Sequence, residues 1–379
     1  MLDLRADFSH FLGAEPGRLH FAAHSHHPWP DVTRAAQIEA WEVAARLQDG
    51  KWEKILGPLW EEARRRVAGV LELPDPATLC FAPNTHEFAL RILSALPERP
   101  HLLTTTGEFH SFSRQVARLE EDGLVRVTRV PAEPGAEVPA RLAEAARAGR
   151  FDLVWVSQVF FNPGFALGVE ELAAAAGDDA SLVIDGYHGF MAVPTSLAAI
   201  AGRVFYLAGG YKYAMAGEGA CFLHVPPGWL PRPRNTGWFA AFGDLSGPQS
   251  GAVPFPRDGM RFMGATFDPS GLFRLVAALR WLEARGVSVV DIHAHAHALQ
   301  ARFVAGLAGT GLDPGRLVVP LAEARRGNFL CFELDDAEAW SANLEARKVV
   351  TDRRGSRLRF GFGPYQTATE IDALLGRLR

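Results

Sequence analysis

A rhythm of apolar runs restricts the fold of this chain more than any other feature. Between residues 77 and 225 the segments ATLCFAP (77–83), HLLTTT (101–106), VRVTRV (125–130), FDLVWVSQV (151–159), SLVIDG (181–186), VFYLAGG (204–210) and GACFLHV (219–225) recur at short intervals. The first four are each followed by an amphipathic stretch: HEFALRILSAL, SFSRQVARLEED, PARLAEAARAG and VEELAAAAG. Strands alternating with helices at this pace imply βα units, and therefore a mostly parallel sheet covered on both faces. The last three runs follow one another with little helix between them, which makes the sheet mixed.

Beyond the Pro- and Gly-rich PPGWLPRPRNTG the pattern changes. Helical periodicity over 271–285, 288–309, 336–347 and 368–378 flanks the strands NFLCFEL and RLRFGF. The expected fold is α/β, with a large domain built on the mixed sheet and a smaller α+β C-terminal domain. The boundaries read as 1–48 for an N-terminal segment packing with the small domain, 49–260 for the large domain and 261–379 for the small one. A hydrophobic content of 48% over 379 residues supports a substantial core. The net charge of −4 gives no basic footprint for nucleic acid. The opening MLDLRADFSHFLGAEPG lacks a basic region followed by an apolar core, and no run approaches the ~18 apolar residues of a membrane span, so a cytoplasmic location without membrane contact is expected. Cys80, Cys221 and Cys331 are too scattered for a disulfide framework, and each lies in a strand-like run.

Of the 39 lysines and arginines only Lys51, Lys54, Lys212 and Lys348 are lysine. Three of these suit a solvated surface. Lys212 stands between two tyrosines in GGYKYAMAGEG, directly after an apolar strand. A desolvated lysine can lose its proton and act as a nucleophile or base, which arginine cannot do.

Open α/β sheets bind ligands beyond the carboxyl ends of their strands, and several candidate groups fall at such ends. Asn84-Thr85-His86 follows the first strand and begins a helix, where free N–H groups favour a phosphate. Phe109-His110 follows the second. Asp185 ends the most apolar strand, and Lys212 follows the next, 27 residues later. Each has a structural alternative: a turn cap for Asp185, a helix N-cap for Asn84-Thr85, a core position for Phe109. Together with the scarcity of lysine they match the needs of pyridoxal phosphate, which has an aldehyde, a ring nitrogen and a phosphate to be held.

DGYHG (185–189) with YKY (211–213) resembles the Asp-x-x-His and Tyr-Lys-Tyr of kynureninase, in the class V branch of the fold-type-I pyridoxal phosphate enzymes. The likeness extends to TTTGEFHS, to NTGWF (235–239) and to TDRRGSRLRFGFGPY (351–365). What it implies is specific. Lys212 would join the cofactor covalently and later move protons. Asp185 would hold the pyridine nitrogen, with His188 beside it as a third catalytic residue. Phe109 would stack on the ring. Asn84, Thr85 and Tyr211 would hold the phosphate, with Trp238 and Thr266 reaching it from a second subunit, which implies a homodimer with its sites at the interface. Arg359 would clamp the carboxylate of a small-molecule amino-acid substrate. The resemblance also implies hydrolysis of a Cβ–Cγ bond, with a class V aminotransferase or β-eliminating lyase as the alternative.

Two departures touch the substrate rather than the cofactor. His110-Ser111-Phe112 lacks the aspartate usual after the stacking aromatic, and His24-Ser25-His26-His27 replaces an Asn-Ser-Leu-Gly, bringing His26 forward as a substrate contact. The same histidines open a remote alternative, a metal-dependent amidohydrolase barrel. A second cluster, HAHAHA (293–298), puts only His293 and His297 on one helix face, too few for a metal. A cysteine desulfurase would need an exposed cysteine in a C-terminal loop, whereas Cys331 sits inside a strand-like run.

Overall fold

The computed structural model describes residues 2–244 and 251–379. Its centre is a seven-stranded sheet formed by β1 (Leu79–Ala82), β2 (His101–Thr105), β3 (Arg126–Val130), β4 (Leu153–Ser157), β5 (Ser181–Asp185), β6 (Val204–Gly209) and β7 (Cys221–His224). Each lies within two residues of the run that forecast it. The spatial order is β1-β7-β6-β5-β4-β2-β3. All neighbours pair parallel except β7, which runs antiparallel to both β6 and β1. The carboxyl ends of the other six strands therefore share one edge of the sheet.

Local sequence explains the layering. β4, β5 and β6 are buried along their whole length, as apolar strands covered on both faces must be. β3 carries exposed Arg126 and Arg129 and occupies an edge, where charged side chains discourage further pairing. Helices fill the connections: α3 (Thr85–Ala95), α4 (His110–Glu121), α5 (Val138–Ala148) and α6 (Val169–Ala176), after α1 (Val32–Leu47) and α2 (Trp60–Leu71).

The C-terminal part holds α7 (Ser270–Ala284), α8 (Val289–Ala305), β8 (Phe329–Glu333), α9 (Ala337–Ala346), β9 (Asp352–Arg354), β10 (Arg357–Gly361) and α10 (Ala368–Leu378). Strands β9-β10-β8 form an antiparallel sheet. A second core gathers Phe303 of α8, Phe332, Phe360, Phe362 and Leu374. The two-residue strand Leu19–His20 pairs with Val349–Val350, and Leu19 and Phe21 join this core, whereas Leu4, Phe8, Ala23 and Ala36 belong to the larger one, so the N-terminal segment packs against both.

α7 differs from the sequence expectation, which placed it in the small domain. Leu272, Leu275, Leu279 and Leu282 are buried in the larger core, which also takes Val43 of α1 and extends to Ile292. The Pro/Gly-rich stretch before residue 260 marks a loop, while the apolar residues of the next helix continue the first core. Among the described residues no helix is long and apolar enough to cross a membrane.

Candidate active site

The shared edge of strand ends opens into a cavity of about 280 Å³. Residues from several chain segments line it: His24 and Ser25; Asn84 and Thr85; Phe109; Ser157, Val159 and Phe161; Asp185, Tyr187 and His188; Tyr211 and Lys212; and, from the small domain, Arg354 and Arg359. The cavity thus lies between the two cores.

Lys212 follows β6 on the turn that leads into β7. Its Nζ lies 2.6 Å from His188 Nε2. Burial, reinforced by the charge of Arg359 and opposed by Asp185, brings its pKa down from 10.5 to about 7. Burial and the neighbouring Lys212 keep His188 far below its ordinary value, so the ring is neutral. Asp185 closes β5 and accepts the Tyr187 N–H at 3.0 Å. Burial pushes this carboxyl up to about 6, against the lowering effects of that hydrogen bond and of Lys212.

Asn84 caps α3, its side chain accepting the Glu87 N–H at 3.1 Å. The start of α3 thus borders the cavity at Asn84 and Thr85, where the helix dipole favours an anion. Phe109 precedes α4 and packs edge-on against Phe161 at 5.3 Å between centroids. His110 is the first residue of α4 and faces a separate surface depression with Arg114. Phe109, rather than His110, accordingly lies beside Lys212, whose Nζ is 5.6 Å from its ring centroid.

On β10 spacing alone puts Arg357 and Arg359 on one strand face, and their partners separate them. Arg357 bonds both oxygens of Glu133, at 2.7 and 2.8 Å, and Glu333 at 2.7 Å. Arg359, 2% exposed, bonds the Phe161 carbonyl and the Asp352 carboxylate while its Nε has no partner. Although burial raises Asp352, contact with His24 and the charge of Arg359 hold it well below the carboxylate range.

The opening histidines divide differently from expectation. His24, not His26, lines the cavity. It is stacked on Phe329 at 4.5 Å, with Nε2 3.6 Å from Asp352 Oδ2, and burial lowers it to about 3. His26 stands behind Tyr211, edge-on at 5.4 Å, between Phe11 and Trp29. Trp238 and Thr266 do not line the cavity of their own chain; Trp238 Nε1 donates to Thr266 Oγ1 at 3.3 Å on the surface.

Ser157, Tyr187 and Arg354 also line the cavity, and Asp352 and Glu108 stand just behind it, at positions the sequence does not single out. Glu108 is buried behind the wall, accepting from Thr105 at 2.6 Å and from Ser157 at 2.7 Å, and burial raises it to about 7. Only Glu108 carried a readable signal, a carboxylate set between the glycine and the aromatic of TTTGEFHS.

The other sequence clusters resolve into structure. His293 Nδ1 meets the carbonyl of Ala192 and Asn328 Oδ1 at 2.9 Å, His295 binds the Leu2 N–H and the Gln366 carbonyl, and His297 lies between Arg326 atoms. Cys80, Cys221 and Cys331 all lie in strands, burial pushes each thiol up to about 12, and none lines the cavity. The open sheet is not the barrel that the amidohydrolase alternative requires.

Comparison with known proteins follows the same lines. Residues 292–378 match the kynureninase C-terminal domain family. Over 221 residues the chain is 29% identical to isopenicillin N epimerase of Streptomyces clavuligerus; the match takes in 54% of this chain and 53% of that one, so the chain spans about half the length of this curated relative. Among solved structures it resembles the cystine C–S lyase C-DES in complex with its reaction product cysteine persulfide, at a TM-score of 0.81 and 18% identity over 97% of this chain and 98% of that one. It also resembles a cysteine desulfurase from Thermococcus onnurineus NA1, at 0.80 and 18% over 99% and 98%. Another structure of C-DES carries glycine covalently linked to its pyridoxal phosphate cofactor. The chain has the fold of the fold-type-I pyridoxal phosphate enzymes.

Proposed function

We propose that this chain, with that fold as premise, is a pyridoxal phosphate enzyme acting on an amino acid, and that its reaction is a kynureninase-type hydrolysis of a Cβ–Cγ bond. The observation that carries the reading is Lys212: a half-buried amine 2.6 Å from His188 Nε2, in one cavity with Asp185, the start of α3 and Arg359. The residues fit the cofactor. Asp185 has one oxygen engaged by Tyr187, and His188 Nδ1 and Arg359 Nε are buried without partners, so the cavity holds polar atoms that the chain itself does not satisfy.

When bound, pyridoxal phosphate supplies an aldehyde and an electron-withdrawing ring that stabilise negative charge at a substrate's Cα. The protein does the rest. Lys212 presents a free amine near neutral pH and, once released, takes the proton from Cα and returns it. Asp185 would hold the ring nitrogen in its protonated form, and neutral His188 fixes the Lys212 amine. Asn84, Thr85 and Tyr211 would receive the phosphate at the start of α3, and Trp238 and Thr266 of a second copy would complete that site in a homodimer. Arg359 orients the α-carboxylate. In this reading water adds to the side-chain ketone, the Cβ–Cγ bond breaks, and alanine and an aromatic acid leave.

A desulfurase-type reaction is disfavoured because no thiol lines the cavity among the described residues. The match to an epimerase supports a second reading, proton exchange at Cα without bond cleavage, which asks less of the site. Incubation with kynurenine, 3-hydroxykynurenine and a panel of amino acids in deuterated water separates the two. Alanine with an aromatic acid is the expected result; deuterium at Cα of an otherwise intact amino acid would replace hydrolysis by the second reading.

A further inference from the structure

We propose that Tyr187 and Phe109 together form an aromatic slot for the planar ring of the cofactor, with Tyr187 as a wall in its own right. The inference rests on the cofactor reading above. Lys212 Nζ lies over the faces of both rings, 5.6 Å from the Phe109 centroid and 5.9 Å from that of Tyr187. The two aromatics come from different strand ends, Phe109 after β2 and Tyr187 after β5, and both line the cavity. A flat ring attached to Lys212 therefore sits within reach of both.

The phenol is seated rather than merely adjacent. The N–H of Tyr187 is tied to Asp185 at 3.0 Å, and its hydroxyl lies 3.4 Å from Cys221 Sγ. The backbone of β6 leaves the space: a Cβ on Gly209 would fall 2.6 Å from Cys221 Sγ and 2.8 Å from the Tyr187 hydroxyl oxygen. Glycine at the end of β6 is thus a condition for the phenol's position. Aromatic faces attract one another beyond simple burial, by an amount that corresponds to roughly three- to tenfold in affinity for one pair.

Equilibrium dialysis of pyridoxal phosphate against the cofactor-free protein, with the circular dichroism of the bound cofactor as a second signal, tests the slot. Tyr187→Phe keeps the ring and should bind within about threefold of the original protein with its dichroic band unchanged. Tyr187→Leu keeps apolar bulk without a π face, and Tyr187→Ala removes both; each should bind roughly tenfold more weakly and with an altered band, while far-ultraviolet dichroism shows an intact fold. A Tyr187→Leu protein that binds as tightly as the original, with the same band, would overturn the slot alone. So would an equal loss in the Tyr187→Phe and Tyr187→Ala proteins, which would assign the effect to the hydroxyl. An original protein that takes up no pyridoxal phosphate would overturn the cofactor reading and the slot with it.

Discussion

Two regions of this molecule concentrate histidine and charge, and they behave oppositely. In α8 the three histidines of His-Ala-His-Ala-His each find a partner, mostly a backbone carbonyl, so the cluster knits the helix to the segments around Asn328, Arg326 and Gln366. At the cavity the balance is reversed: His24 and His188 are buried with nitrogens that bond nothing in the chain, and so is the Nε of Arg359. Burying a polar group without a partner costs free energy. At the cavity such groups are within reach of whatever ligand enters. Partners, rather than residue type, distinguish the α8 histidines from His24 and His188, while unpartnered buried nitrogens also occur away from the cavity, at Trp60, Arg91 and Arg261.

Substitutions can break that contrast, beginning with the largest effect. Arg359→Lys should raise KM for the amino-acid substrate by an amount equivalent to about 2–5 kcal/mol while the protein keeps its cofactor, because an ammonium cannot reproduce a guanidinium's planar contacts; steady-state kinetics on whichever amino acid is turned over would show it. Asp185→Asn should retain cofactor and lower kcat by about one to two decades, the worth of a charge-assisted hydrogen bond; unchanged turnover would make Asp185 a turn cap only.

The pH dependence of cofactor capture sharpens the same side. Because the pKa of Lys212 is lowered from 10.5 to about 7, its amine is protonated below that value and free above it. Stopped-flow mixing of cofactor-free protein with pyridoxal phosphate should show capture rising as pH increases and levelling off above about 7, not near 10.5. On the other side of the comparison, His293→Ala should leave kinetics intact and destabilise the fold by about 1–3 kcal/mol in a denaturant titration, since the Asn328 and Ala192 acceptors lose their donor. Smallest of all, Arg357→Lys should cost less than about 1 kcal/mol and leave KM unaltered, since Glu133 and Glu333 are partly exposed.

The sheet was legible because its signal is local. Alternation of short apolar runs with amphipathic stretches needs no tertiary information, and it located every strand of the large sheet to within two residues. Lys212, Asp185, Asn84 and Phe109 were legible for the same reason: each sits just beyond a recognisable strand, where the topology of an open parallel sheet directs ligands. What could not be read depends on how loops turn and how separate units meet. Whether His24 or His26 faces inward follows from the packing of residues 22–30 against Phe329 and Tyr211. Arg354 reaches the cavity, and Asp352 meets Arg359 and His24 beside it, only because the small domain docks there, and the partners of Arg357 are Glu333 and the distant Glu133. Tyr187 was hidden in plain view between Asp185 and His188, because its role needs the ring's direction. The boundary near residue 260 followed composition, while α7 followed its apolar surface into the larger core.

The central claim is that Lys212 is the residue that holds the cofactor. Borohydride reduction of the protein loaded with pyridoxal phosphate, followed by proteolysis and peptide mass mapping, tests it most directly, because reduction fixes the attachment whatever the substrate proves to be. A pyridoxyl group on Lys212 alone is the expected result. A label on Lys51, Lys54 or Lys348 in its place, or no label on a folded protein, would contradict it.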